Sequence, residues 1–503
     1  MVAEGIADQI CLEGMTGARY ESASMRKLSS WWMPLAYLGS NPITLTGAVL
    51  TTSSALTMIG AWVLDAVSAR PVHPYAGIAL FLILPAVFVL GLLLMPLGVF
   101  LRRRQLKARG ELPSVYPRVD LRQGLLRRGA MLVGGATLLN IVLLSAATYR
   151  GVSYMDSTDF CGLTCHSVMA PEYTAFKTSP HSRVGCVDCH IGPGAGWFVR
   201  SKLSGTRQVL AVNFKTYSRP IPAPVKYLRP ARETCEHCHW PEKFHGDKVV
   251  VRTKYSDDEK NTPLTTVLVL KIGGHSGTAG KGIHGRHLDA SERIHYIATD
   301  DRRQVIPRVT YRADDGSTVE FVSKEIKATP EELAKGEHRA MDCVDCHNRP
   351  SHIFQLPERA VDEAMTDGRI GRELPFVKKK AVELLRVEYP DQETAAQRIP
   401  EGLAAYYKTT YPDLFRKERA LVDRAAQQIA AIYARNVFPS MKVGWGTYPN
   451  NLGHEDFPGC FRCHDETHES PGGETITQSC DACHTILASE EEDPKILTDL
   501  GLK

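Results

Sequence analysis

The chain has 503 residues, of which 23% are charged and 43% hydrophobic, and a net charge of +4; that is the length of two to four domains and the make-up of a folded protein. The positive excess is local, because residues 102–128 hold nine basic and two acidic side chains. The long C-terminal part therefore lacks the basic face that nucleic-acid binding requires, and no nucleic-acid partner is expected.

Residues 1–40 lack the short apolar core and cleavage site of a signal peptide and read as a cytoplasmic N-terminus. Three apolar runs without an internal charge follow within 41–149: Ile43–Leu64, Tyr75–Leu101 and Gly129–Thr148. About 20 apolar residues rising about 1.5 Å each cross a hydrocarbon core about 30 Å thick, so each run predicts a membrane-spanning helix. The basic loop 102–128 stays in the cytoplasm under the positive-inside rule. Everything after Thr148 is then exported, giving a three-span anchor in a bacterial inner membrane with a periplasmic domain.

The exported part holds 12 of the 13 cysteines, in pairs followed directly by histidine. Five pairs have the form Cys-x-x-Cys-His: Cys186/Cys189 before His190, Cys235/Cys238 before His239, Cys343/Cys346 before His347, Cys460/Cys463 before His464, and Cys480/Cys483 before His484. The first, Cys161/Cys165 before His166 in DFCGLTCHSVM, has one residue more between its cysteines. This pattern reads as c-type haem attachment, six times. Two thiols about one helical turn apart both reach the haem edge, and the next imidazole ligates the iron. Zinc sites and disulfide frameworks also use cysteine pairs, but neither needs a histidine after every second cysteine. Cys11 is left over on the cytoplasmic side.

Residues 150–354 read as a tetrahaem domain, mostly α or irregular and built around haem, with a small antiparallel β insertion over 246–325. VVVRTKY, LTTVLVLKI, RIHYIATD, VIPRVTYRA and STVEFVSKE are its expected strands. Residues 355–442 show helical spacing and predict a cysteine-free helical connector broken at Pro390, Pro400 and Pro412. Residues 443–503 form a dihaem module ending in an acidic, solvated tail.

Each iron has a far side as well. Outside the motifs the exported part offers ten histidines, and His181, His338, His352, His454 and His468 lie nearest to motifs. His284 and His287, in GIHGRH, fall in the expected sheet and rank behind them. HSRVGCVDCHIGP and HRAMDCVDCHNRP, 181–193 and 338–350, repeat the arrangement of a histidine five places before the first cysteine. If every iron carries two protein ligands, none is open to a small substrate.

CGLTCHSVMAPEYTAFKTSPHSRVGCVDCH and CVDCHNRPSH resemble the NapC/NirT family of membrane-anchored, quinol-oxidising multihaem cytochromes c. The three spans, the insertion and FPSMKVGWGTYPNNLGHEDFPGCFRCH look like a longer branch of that family, which includes inner-membrane cytochromes of metal-reducing bacteria. The resemblance implies a first haem at the membrane surface beside a quinol pocket, with Met169 as an iron ligand in place of or beside His166. It also implies His181 and His352 as far-side ligands, and a quinol-site lysine in the region of Lys202. The extra residue of the first motif, and a methionine three places past its histidine, depart from the family pattern. Quinol oxidation releases protons, and Asp156 and Asp159, between the last span and the first motif, are further acceptors beside Lys202. The implied activity is menaquinol dehydrogenation with periplasmic or outer-membrane-associated c-type cytochromes as acceptors. A relay or anchoring subunit without a quinol site, and a periplasmic small-molecule reductase, are the alternatives.

Overall fold

A computed structural model describes residues 33–35, 37–67, 84–116, single positions between 131 and 155, and 156–502 apart from 165, 193–194, 226–227, 241–245, 274–281, 288–293 and 314. The chain forms two units, 1–155 and 156–503.

In the first unit, helices α1 (Pro42–Val67) and α2 (Leu84–Ala108) are long and apolar enough to cross a membrane. They run antiparallel along a stripe of small residues. A Cβ on Gly91 would lie 2.4 Å from Thr51 Oγ1 and 2.7 Å from the Gly47 carbonyl, and one on Gly98 would lie 2.4 Å from Thr44 Oγ1. Such close backbone approach is how helices associate where lipid removes the hydrophobic drive. Leu45, Val49, Leu93 and Phe100 point outward and exposed, as lipid-facing positions do. Two spans are thus described rather than the three expected. Of the run 129–148, single positions such as Met131, Leu138 and Leu139 are helical; its remainder, and 75–83, lie outside the described residues.

The second unit begins with a π-helical turn, Phe160–Thr164, then α3 (His166–Lys177) and α4 (Ala195–Asn213). The five expected strands all form: β1 (Lys248–Tyr255), β2 (Pro263–Leu270), β3 (Ile294–Ala298), β4 (Arg308–Arg312) and β5 (Thr318–Ser323). The one-turn helix α5 (Ile283–His287) interrupts them. They build two sheets rather than one, and neither closes within 246–325. Order β1-β2-β8 takes its third strand from β8 (His484–Glu491), and order β6-β3-β4-β5-β7 takes its outer strands from β6 (Glu337–Ala340) and β7 (His468–Glu469). Part of the acidic tail is therefore sheet edge. Pairing partners lie up to 226 residues apart, as in Thr265↔Glu491, which alternation along one strand cannot show.

Residues 357–436 fold into α6 (Pro357–Thr366), α7 (Val377–Leu385), α8 (Gln392–Thr410), α9 (Pro412–Lys417) and α10 (Arg419–Asn436) around the largest apolar core. Pro400 was expected to break a helix but lies inside α8. The lost hydrogen bond is outweighed by one face, Ala395, Ile399, Leu403 and Tyr407, that is fully buried at a spacing of four.

A buried ion pair fastens this helical bundle to the first sheet. Lys378 Nζ donates to Asp362 Oδ1 at 2.5 Å and to the Glu358 carbonyl at 2.6 Å, while Asp362 also accepts from the Tyr255 amide at 3.0 Å. Burial pushes the Asp362 carboxyl up, against the pull of Lys378. Lys378→Met is expected to lower stability by about 3–5 kcal/mol, because it strands a buried carboxylate. Adding Asp362→Leu should restore part of the loss. Urea midpoints of the helical circular-dichroism signal in detergent compare parent, single and double variants.

Candidate functional site

Each described Cys-x-x-Cys motif sits on a single tight turn: Cys186–His190, Ala231–Cys235, Cys343–Cys346, Gly459–Arg462 and Cys480–Cys483. At the fourth, Asp342 caps the turn by accepting from the Cys343 amide at 2.6 Å. The irregular first motif uses the π turn instead. A π turn closes i→i+5 rather than i→i+4 and so absorbs one residue more. The fourth position of Cys161-x-x-x-Cys165 thereby returns roughly to where the third stands in an α turn. Gly162, buried, makes room: a Cβ there would meet the Tyr173 ring at 2.1 Å.

The motifs follow one another in space in their sequence order. The thiols of Cys161 and Cys186 hydrogen-bond, as do those of Cys235 and Cys343. Cys189 feels the charges of Cys235 and Cys238, Cys346 and Cys463 that of Cys460, and Cys483 that of Cys460 too. A continuous row of thiol pairs results.

Five motif imidazoles each face an imidazole from elsewhere in the chain. Ring centres are 6.2 Å apart for His190 and His352, 5.9 Å for His239 and His181, and 6.3 Å for His347 and His284. They are 5.9 Å apart for His464 and His287, and 6.2 Å for His484 and His454. Two imidazoles on opposite sides of one metal, each with its nitrogen about 2 Å from it, put their ring centres roughly 6 Å apart. The second nitrogens support that reading. Nδ1 of His181, His287, His352 and His464 donates to the carbonyls of Pro350 (3.2 Å), Ile283 (2.7 Å), Glu172 (3.0 Å) and Thr477 (2.9 Å). Each such bond fixes the tautomer and leaves Nε2 its lone pair, the usual outer-shell arrangement of a metal-binding histidine. Burial holds His190, His284, His287, His347, His352 and His484 below the ordinary histidine range, and for His190 and His284 the facing imidazole adds to it. They are neutral near pH 7, the state that ligates.

Two expected histidines stand elsewhere. His468 is fully buried, with Nδ1 on Asp465 Oδ1 and Nε2 on the Ile306 carbonyl, both at 2.8 Å. His338 lies on β6 with Nε2 committed to the Leu333 carbonyl at 3.1 Å. Neither faces a motif histidine. His284 and His287, ranked behind them, do, and they come from a single turn of α5. His454 faces the sixth motif's histidine rather than that of the fifth motif, six residues beyond it.

The loop after the fourth motif reaches its place through α3. Arg349 Nη2 donates to Glu172 at 3.0 Å and Nε to the His352 carbonyl at 2.8 Å, and the guanidinium lies 4.4 Å from the Tyr448 ring centre. Around the first motif, Tyr173 donates its hydroxyl to Asp159 at 3.2 Å, and Lys177 Nζ lies 4.4 Å from the Tyr173 ring centre. Met169, on α3, is half-buried, as is Asp156. Lys202 lies on α4, its side chain outside the described residues, as are Cys165 and the side chain of His166.

The sequence profile of the NapC/NirT cytochrome c family, N-terminal region, matches residues 126–220. Over 461 residues the chain is 41% identical to the cytochrome c-type protein ImcH of Geobacter sulfurreducens, covering 90% of this chain and 89% of that one. The chain belongs to the NapC/NirT cytochrome c family. A second relative, the cytochrome c-type protein NrfH of Wolinella succinogenes, is 27% identical over 111 residues, 22% of this chain and 62% of its own. No solved structure matches. The protein is thus a membrane-anchored multihaem cytochrome c of electron transport. Its residues fit covalent haem: a free thiol pair on one turn, a motif imidazole beside it, and a second neutral imidazole across a gap of metal-spanning width.

Proposed function

We propose that this cytochrome is a menaquinol dehydrogenase of the bacterial inner membrane that passes electrons through six covalent c-type haems to periplasmic or outer-membrane-associated cytochromes, in anaerobic or extracellular respiration. The N-terminus lies in the cytoplasm and the haem domain in the periplasm, because of the basic loop 102–128. The observation that carries the reading is the set of five opposed histidine pairs along one row of motifs that starts next after the last apolar run.

Bound haem supplies a one-electron couple at each motif. The paired thiols fix it covalently. His190, His239, His347, His464 and His484 ligate one face; His352, His181, His284, His287 and His454 ligate the other. With both axial places taken by imidazole, these five sites have no opening for nitrite, hydroxylamine or a similar substrate, which speaks against the reductase alternative. The first motif is the exception, with Met169 and His166 as ligands from one helical turn. A lipid-soluble quinol gives up two electrons and two protons, and the protons need an acceptor at the headgroup. Asp159, held by the Tyr173 hydroxyl, Asp156 and Lys202 are the groups assigned that work.

His287→Ala and His284→Ala are each expected to convert one low-spin centre of the holoprotein to high spin, read by electron paramagnetic resonance, with six haems still attached. His338→Ala should leave the spectrum unchanged, and His468→Ala should leave it unchanged while costing roughly 1–3 kcal/mol of stability. A spin change in either of the latter overturns the assignment.

The detergent-solubilised protein is expected to be reduced by menaquinol, with a quinol analogue blocking the reaction. Lys202→Ala or Asp159→Asn should slow it roughly 10²-fold, the scale of a lost proton acceptor. Failure of the parent to accept electrons from menaquinol favours the relay subunit instead, and reduction of both variants at the parent rate refutes the proton-acceptor assignment.

A further inference from the structure

The fourth and fifth motifs each carry a charged residue between their cysteines that haem attachment does not use: Asp345 in CVDC and Arg462 in CFRC. Both are buried, 3% and 8% exposed. Arg462 spends its guanidinium on three carbonyls. Nε donates to Gly459 at 2.8 Å, Nη1 to Arg303 at 2.7 Å, and Nη2 to Asp345 itself at 2.6 Å. One side chain of the fifth motif thus grips the backbone of the fourth. Asn451 adds a second tie, donating to the same Asp345 carbonyl at 3.1 Å.

The charges around this contact do not cancel at Arg462. The Asp345 carboxylate accepts from Tyr296 at 2.7 Å and Arg339 at 3.1 Å, with Arg303 at 3.8 Å. Arg303 and Arg339 also share Glu337. Those two guanidiniums are balanced by those two carboxylates. Among the described residues no carboxylate pairs with Arg462. A guanidinium keeps its proton at any working pH, and in a buried, poorly screened place its field is strong. That field acts on Cys346 and on Cys463, the second thiol of each motif, opposing the upward push of their burial.

We propose that Arg462 is a positioning residue that joins the fourth and fifth haem-attachment motifs and, through its uncompensated buried charge, raises the reduction potential of the centres they hold, while Asp345 lowers it. The inference rests on the haem reading above. Oxidation adds a positive charge to a centre, so a fixed cation beside it favours the reduced state and an anion the oxidised state. Charge and burial are among the protein's levers on haem potential. Placed in the middle of the row, this pair sets where electrons rest between entry and exit.

The test is a potentiometric titration of the full-length holoprotein, its haem content first counted by intact mass. Arg462→Gln is expected to lower one or two midpoints by about tenfold in the one-electron equilibrium, about 59 mV, with the remaining midpoints in place. Arg462→Lys, which keeps the charge but loses the planar fork, should hold every midpoint near the parent value. Asp345→Asn should raise one or two midpoints, and it carries the test if Arg462→Gln fails to assemble. Unmoved midpoints in Asp345→Asn and in any assembled Arg462→Gln, with haem content intact, overturn the inference and leave the haem reading standing. A parent without covalent haem overturns both.

Discussion

Everything in the periplasmic unit is arranged around imidazoles that face each other across a gap. Each pair joins segments far apart in the chain: His190 to His352, His181 to His239, His284 to His347, His287 to His464 and His454 to His484. Pairs of this kind, bridged by metal, act as crosslinks, and crosslinks that close long loops constrain the unfolded chain most. They take the place of a side-chain core between 156 and 245, where the described segments carry few buried apolar residues. The large core sits instead in the cysteine-free bundle, which fastens to the sheet through Lys378 and Asp362 and to the haem-bearing part through α3 and α10.

The crossing of the pairs also decides the order of the row. A far-side histidine that precedes the second motif serves the third, and one that follows the fourth serves the second. Such interleaving leaves consecutive motifs side by side, with Cys161 on Cys186 and Cys235 on Cys343. An electron carrier gains from that, because each transfer is short. The irregular end of the row is where the chain departs from its own rule: a π turn, a methionine on the next turn, and a tyrosine that lies on Gly162 and holds Asp159. The departure falls nearest in sequence to the apolar runs, where a lipid-soluble donor is found.

The motifs were legible in the sequence because attachment is local: two thiols and an imidazole within one turn. The strands and two of the three longest bundle helices were legible for the same reason, since alternation and four-residue spacing are written along one segment. What was not legible is tertiary. His338 and His468 lie close to motifs in sequence, yet carbonyls and Asp465 take up their nitrogens. His284 and His287 lie far from the motifs they face. A signal for them was present, because His-x-x-His puts both imidazoles on the same side of a single turn. The division of the strands into two sheets depends on β7 and β8, which no reading of 246–325 contains. Pro400 misled because a proline breaks a helix only when packing fails to hold it.

The most direct measurement is X-ray diffraction from crystals of the holoprotein at the iron absorption edge. Six anomalous peaks are expected, five of them lying between the opposed histidines and one beside the π turn. Fewer irons, or an iron bound by His338 or His468, would contradict the account.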